Sequence, residues 1–140
     1  MKQSTTVPQF NIQVENVMTW NVIPLLHEIR HALERLSETG ESSIIDLRSI
    51  PLAPGEEEKI CNALGHGEVQ ARLDALGKSE IIETRYAGVW LVTHYNEDDE
   101  IVGRFIEITA MPEILCSQDA DIADAGQRLA EVLNNDDTGE

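Results

Sequence analysis

The chain has 140 residues, enough for one domain with a buried core. Hydrophobic residues make up 41% and aromatics only 4%, which excludes a disordered chain and leaves an interior built mostly from Leu, Ile, Val and Ala. The formal net charge of −16 sets up a negative field that repels phosphate backbones and anionic lipid, so nucleic acid and membrane surfaces are poor partners.

Residues 1–18 read as an extended N-terminal arm: a polar lead to Pro8, then Phe10, Ile12 and Val14 alternating with polar neighbours in a short extended run. A helix follows. Pro24 suits its first turn, Val22, Leu25, Leu26, Ile29, Leu33 and Leu36 keep helical spacing, and Gly40 suits the left-handed cap that ends it. Ser43 to Ile50 (SIIDLRSI) reads as a short buried strand. The PLAPGEEE turn leads into a second helix ending at Leu64, with Glu56, Glu57 and Glu58 complementing the dipole of its first turn.

Val69, Ala71 and Leu73 alternate with Glu68, Gln70 and Arg72, as in a half-buried strand, and Asp74 to Lys78 (DALGK) reads as a turn. Another strand covers Glu80 to Tyr86. Gly88 to Tyr95 and Glu100 to Thr109 form a hairpin around Asn96-Glu97-Asp98-Asp99. The last helix carries Ile122, Ala125, Leu129, Val132 and Leu133 on one face, and residues 134–140 read as a disordered acidic tail. Consecutive strands with short turns favour antiparallel pairing. The expectation is an α+β fold, with a mainly antiparallel sheet of about five strands, helices packed on one face, and a single domain over residues 19–133.

The strongest chemical motif is His27-Glu28-Ile29-Arg30-His31, a literal H-E-x-x-H on a helix. In zinc hydrolases this spacing sets two imidazoles on one face with the glutamate as base. Here the apolar stripe centres near Ile29 and Leu33, and at about 100° per residue His27 and His31 fall opposite it, facing water. No second metal motif follows, since His66 and His94 are isolated. The expectation is therefore no bound metal and no cofactor, with a metal-dependent hydrolase using this helix as the alternative reading. His94 alternates with Trp90 and Val92 on a strand and reads as a sheet-face histidine.

Cys61 and Cys116 are far apart and in no CxxC pair. This fits reduced thiols and gives the chain no means of holding an iron–sulfur cluster or a four-ligand zinc by itself. Carboxylate pairs are too common here to mark a dyad, and neither G-x-G-x-x-G, a P-loop nor G-x-S-x-G occurs. The chain is not expected to be an enzyme. No stretch has the length and apolarity of a membrane span, and MKQSTTVPQFNIQVENVM lacks the apolar core of a signal peptide, so a cytoplasmic location is expected.

The order of residues from Gly88 to Ile122 is distinctive: a Trp-centred strand (GVWLVTHY), then FIEIT, then PEILCSQDADI. With EIRHALERL and its T-G-E exit, IDLRSIPLAPGEEE, and ALGHGEVQA, it resembles the C-terminal conserved region of the HupH/HyaF family, accessory proteins of nickel–iron hydrogenase assembly. The likeness covers about Val22 to Leu133. It implies a cytoplasmic, non-enzymatic, chaperone-like assembly factor that handles the iron–sulfur small subunit precursor alongside other maturation proteins. Typical family members carry a long additional region ahead of this one. The family supplies no catalytic residue to carry over. Trp90, Phe105, Pro112 and Glu113 are candidate contact residues, with Trp90 and Phe105 also fitting a core role. A basic leader on such a precursor would be drawn to an acidic protein, which speeds encounter more than it tightens binding. A structural homodimer with an exposed sheet edge is a further alternative.

Overall fold

The structure, a computed structural model, describes residues 21–138; the arm expected over 1–18 and its Phe10–Val14 run lie outside them. The chain separates into two compact units, the first ending at Ala110 and the second beginning at Met111, where the sequence reads as one domain over 19–133.

The first unit opens with α1 (Val22–Thr39), whose N–H groups begin pairing at Leu25 to Asn21 O, 3.0 Å. It stops at Gly40, which takes φ 78° and donates its N–H to Leu36 O, satisfying an end carbonyl as the left-handed cap predicts. Val22, Leu25, Ile29 and Ala32 form its buried stripe. β1 (Ser43–Asp46) is shorter than the expected run to Ile50. The Asp46 carboxylate accepts from Arg48 N at 3.0 Å and Ser49 Oγ at 2.7 Å, and turns Leu47–Ser49 into a single 3-10 turn. α2 (Glu56–Leu64) starts and stops where the glutamate run and Gly65 place it.

Four strands follow as a meander: β2 (Gln70–Ala75), β3 (Gly77–Glu83), β4 (Val89–Tyr95) and β5 (Ile101–Ile108). β1 joins the far side of β5, so the antiparallel order is β1-β5-β4-β3-β2. The expected DALGK turn is tighter in the structure, with Ala75 facing Gly77 directly across it. Gly77 has φ 101°, and a Cβ there would collide with the Tyr95 carbonyl oxygen, so only glycine fits. The β4–β5 turn is held by Asn96, whose Oδ1 accepts from Asp98 N at 2.8 Å and Glu100 N at 3.0 Å.

The side-chain period of two sorts the sheet into two faces. Ile45, Val89, Ile106 and Ile108 join the α1 stripe and Leu47, Ile60 and Leu64 in one apolar core. Each such aliphatic side chain contributes about 1.5–3 kcal/mol by leaving water. The opposite face carries Ile81, Trp90 and Val92, also buried. The result is an α+β fold, a five-stranded antiparallel sheet with α1 and α2 packed on one face.

The second unit consists of a 3-10 turn (Glu113–Leu115) and α3 (Asp119–Thr138). α3 runs through Asn134–Thr138, residues that the sequence reading leaves to a tail. Among the described residues no helix is long and apolar enough to cross a membrane.

Candidate functional site

The H-E-x-x-H helix is α1. His27, Glu28 and His31 are exposed, the two histidines on the side away from Ile29. The Arg30 guanidinium lies between the two imidazoles, its Nη2 3.4 Å from His27 Nδ1 and 3.2 Å from His31 Nε2, while its Nη1 pairs with Glu34 Oε2 at 3.0 Å. The pair thus has a guanidinium for a neighbour, whose positive charge opposes the approach of a cation. Among the described residues no group of three or more His, Cys, Asp or Glu is arranged to hold a metal.

The densest group of titratable side chains lies between α2 and the sheet. Arg104 on β5 is only 12% exposed in its side chain and reaches Glu57 Oε2 at 3.0 Å and Glu58 Oε2 at 3.6 Å, with its Nε donating to Thr93 Oγ1 at 3.2 Å. Arg48 approaches the same Glu57 oxygen at 3.7 Å. Cys61 borders the group, with its Sγ 3.9 Å from Arg104 Nη1. Burial pushes the Cys61 thiol up; the Arg104 charge opposes this, and Glu58 and Glu57 reinforce it. A thiol held protonated is a poor nucleophile. Tyr95 is likewise pushed up, by burial first and then by the Glu80 carboxylate to which its hydroxyl donates at 3.2 Å. The group is a charge-balanced clamp of α2 onto β4 and β5.

A second polar link has the same structural character. Glu56 is fully buried and accepts from Ala53 N at 2.7 Å and from Asn21 Nδ2 at 3.2 Å and N at 3.4 Å. The backbone N–H of Ala53, then the Asn21 donors, hold its carboxyl below the usual carboxylate range against the opposing effect of burial. On the other sheet face, Ser79 Oγ and His94 Nδ1 are 2.7 Å apart. The second contact of that imidazole is the edge of the Phe105 ring, with centroids 5.7 Å apart. A serine–histidine pair needs an orienting acid and an oxyanion cradle before it can act as a nucleophile. With aromatic carbon on its other side, this imidazole is a partnered sheet-face histidine.

The candidate contact residues divide between the two units. Trp90 is 5% exposed and its indole N–H donates to Thr109 O at 3.1 Å, the buried placement that its core reading expects. Phe105 is half-buried on the same sheet face, one strand over. Pro112 and Glu113 open the second unit. Pro112 is buried and its carbonyl accepts from Leu115 N at 3.0 Å, while Glu113 is exposed.

The surface that sequence reasoning left unmarked is α3. Its apolar stripe is open: Ile122 is 56% exposed, Leu129 61%, and Val132 and Leu133 56% each. Ala125 and Gly126 lie in the middle of that stripe, where a close neighbour could approach the backbone. Asp119, Asp121, Asp124 and Glu131 share the helix with a single basic residue, Arg128, paired to Asp124 at 2.8 Å. The helical periodicity of the stripe is visible in the sequence; the exposure of its residues is not.

The family model described as "HupH hydrogenase expression protein, C-terminal conserved region" matches residues 19–135. Azotobacter vinelandii "Hydrogenase expression/formation protein HoxQ" is 28% identical over 114 residues, 80% of this chain and 40% of its own length. Escherichia coli (strain K12) "Hydrogenase-1 operon protein HyaF" is 29% identical over 115 residues, 80% of this chain and 39% of that protein. The chain thus spans about 40% of the length of the curated relatives it matches. A solved structure, "Hydrogenase expression protein HupH" from Thiobacillus denitrificans, superposes with a TM-score of 0.75 at 44% identity, over 84% of this chain and 96% of that one. On these matches the chain belongs to the family of the HupH hydrogenase expression protein C-terminal conserved region.

Proposed function

We propose that this chain is a cytoplasmic accessory protein of hydrogenase maturation that works by holding another polypeptide, with the small-subunit precursor as its client. Family membership supports the pathway, since the relatives are named for hydrogenase expression and formation. One structural observation carries the mode of action: α3 holds Ile122, Leu129, Val132 and Leu133 open to solvent on an otherwise acidic helix. Exposed apolar patches rimmed by polar residues mark protein-interaction surfaces. An amphipathic helix of this kind docks through residues three and four apart into an apolar groove. The net charge of −16 steers basic segments of a client toward the surface. The exposed Glu113, just ahead of α3, adds to the same acidic unit.

The test is a titration of purified small-subunit precursor with the wild-type chain and with Leu129→Asp. Saturable binding by the wild type, lost in the variant and slowed by added salt, is the expected result. A precursor that fails to bind the wild type sinks the client assignment. Equal binding by Leu129→Asp removes α3 from the contact, and rates insensitive to salt remove electrostatic steering.

A further inference from the structure

The β2 edge of the sheet carries a pattern that the hydrogenase reading does not use. Val69 O accepts from Glu83 N at 2.9 Å, in register with the β2–β3 ladder in which Gln70 faces Ile82 and Arg72 faces Glu80. In an antiparallel ladder each residue's N–H and C=O point to the same side, and the side alternates along the strand. Val69, Ala71, Leu73 and Ala75 therefore turn their backbone groups toward β3, and Gln70, Arg72 and Asp74 turn theirs outward. No described strand pairs with that side. Arg72 and Asp74, its two charged side chains, are well exposed at 62% and 69% and stand 3.1 Å apart. Two exposed apolar residues, Val69 at 45% and Leu76 at 89%, bracket the strand.

We propose that β2 is a self-pairing edge: two copies of this chain join antiparallel through it, about a two-fold axis at Leu73, and merge their five-stranded sheets into one. Charge selects this occupant and register. With Leu73 opposite the partner copy's equivalent leucine, each Arg72 stands across from an Asp74, and the symmetry makes the match twice over. Arg72 and Asp74 are also the residues whose outward N–H and C=O groups make the hydrogen-bonded pair in that register, so backbone pairing and charge pairing coincide. Leu73 then falls at a non-hydrogen-bonded position, where side chains approach closest. Arg72 and Lys78 stand near Asp74 and Glu80, so acid and base are balanced here in a chain with only 10 Lys and Arg against 26 Asp and Glu. This is where two strongly acidic copies can meet with little repulsion. An unpaired edge strand is otherwise a template for indiscriminate pairing, and closing it in a dimer removes that hazard. This interface stands apart from the client-binding role of α3.

Sedimentation of the full chain over a range of concentrations tests it, with folding of each variant checked by circular dichroism. The wild type is expected to form a dimer. Arg72→Asp sets like charges opposite each other at both symmetric positions and weakens the dimer by about tenfold or more. Adding Asp74→Arg to that variant swaps the signs and restores it. In a Cys116→Ser background, Leu73→Cys closes an intermolecular disulfide under mild oxidation, because a non-hydrogen-bonded pair about 4.5 Å apart at Cα lies within disulfide reach. A chain that stays monomeric at every concentration overturns the proposal. A dimer indifferent to Arg72→Asp, or a Leu73→Cys variant that dimerises yet closes no intermolecular disulfide under oxidation, is built on another surface and overturns it equally.

Discussion

α1 and α3 are written in the same periodic code and meet different fates. In α1 the stripe of Val22, Leu25, Ile29 and Ala32 is buried against the sheet, whereas in α3 Ile122, Leu129, Val132 and Leu133 stand more than half exposed. Both show apolar spacing of three and four residues, so amphipathicity alone does not say what covers a helix. Their charged faces differ too. α1 mixes Arg30 and Arg35 with its glutamates and histidines, and α3 is acidic apart from Arg128. The first helix is a structural member of the core. The second is an acidic helix whose apolar stripe stands more than half exposed, the feature on which the proposed client contact rests.

The contrast can be broken at its strong end first. Ile29→Ala should destabilise the protein by about 2–5 kcal/mol in urea unfolding, because it removes a buried side chain at 3% exposure and leaves a cavity between helix and sheet. A loss under about 1 kcal/mol would mean that α1 is not anchored as described. Glu56→Gln comes next. The folded carboxyl sits below its ordinary value, so its contribution is complete above about 4.3 and fades as the pH falls below that toward the lower folded value. The variant should lower the melting temperature at neutral pH and narrow its gap to wild type under acid. A gap that widens on acidification contradicts the sign. Leu129→Ala in α3 should change unfolding free energy by no more than about 0.5 kcal/mol, as for other exposed positions. A cost comparable to that of Ile29→Ala would show that the α3 stripe is packed in solution.

Much of the fold was legible because its signals are local. The α1 stripe and Gly40 stop, the glutamates that open α2 and the Asn96 turn each act within a few residues of themselves. Where the reading departs from the structure, side chains intervene at short range. Asp46 ends β1 early by capturing Arg48 N and Ser49 Oγ, and Gly77 tightens the β2–β3 turn under the Tyr95 carbonyl. The polar clusters are harder to see because their members are distant in the chain. Arg104 reads as one residue of an ordinary strand until folding sets it beside Glu57, 47 positions away. The H-E-x-x-H motif is the reverse case, a local pattern that the fold leaves on the exposed side of α1 with Arg30 between its two imidazoles. Trp90 stood out as the centre of a distinctive strand, and it serves the interior.

Glu56 leaves a mechanical legacy. Its carboxylate is grasped by Asn21, the residue that leads into α1, and by Ala53, just before α2. One buried anion thus ties the entrances of both helices in a single knot. The next residue, Glu57, pairs with Arg104, so the same first turn of α2 is also tied to the sheet. Protonating that carboxyl would remove the charge that all three N–H donors share and loosen both helix entrances together.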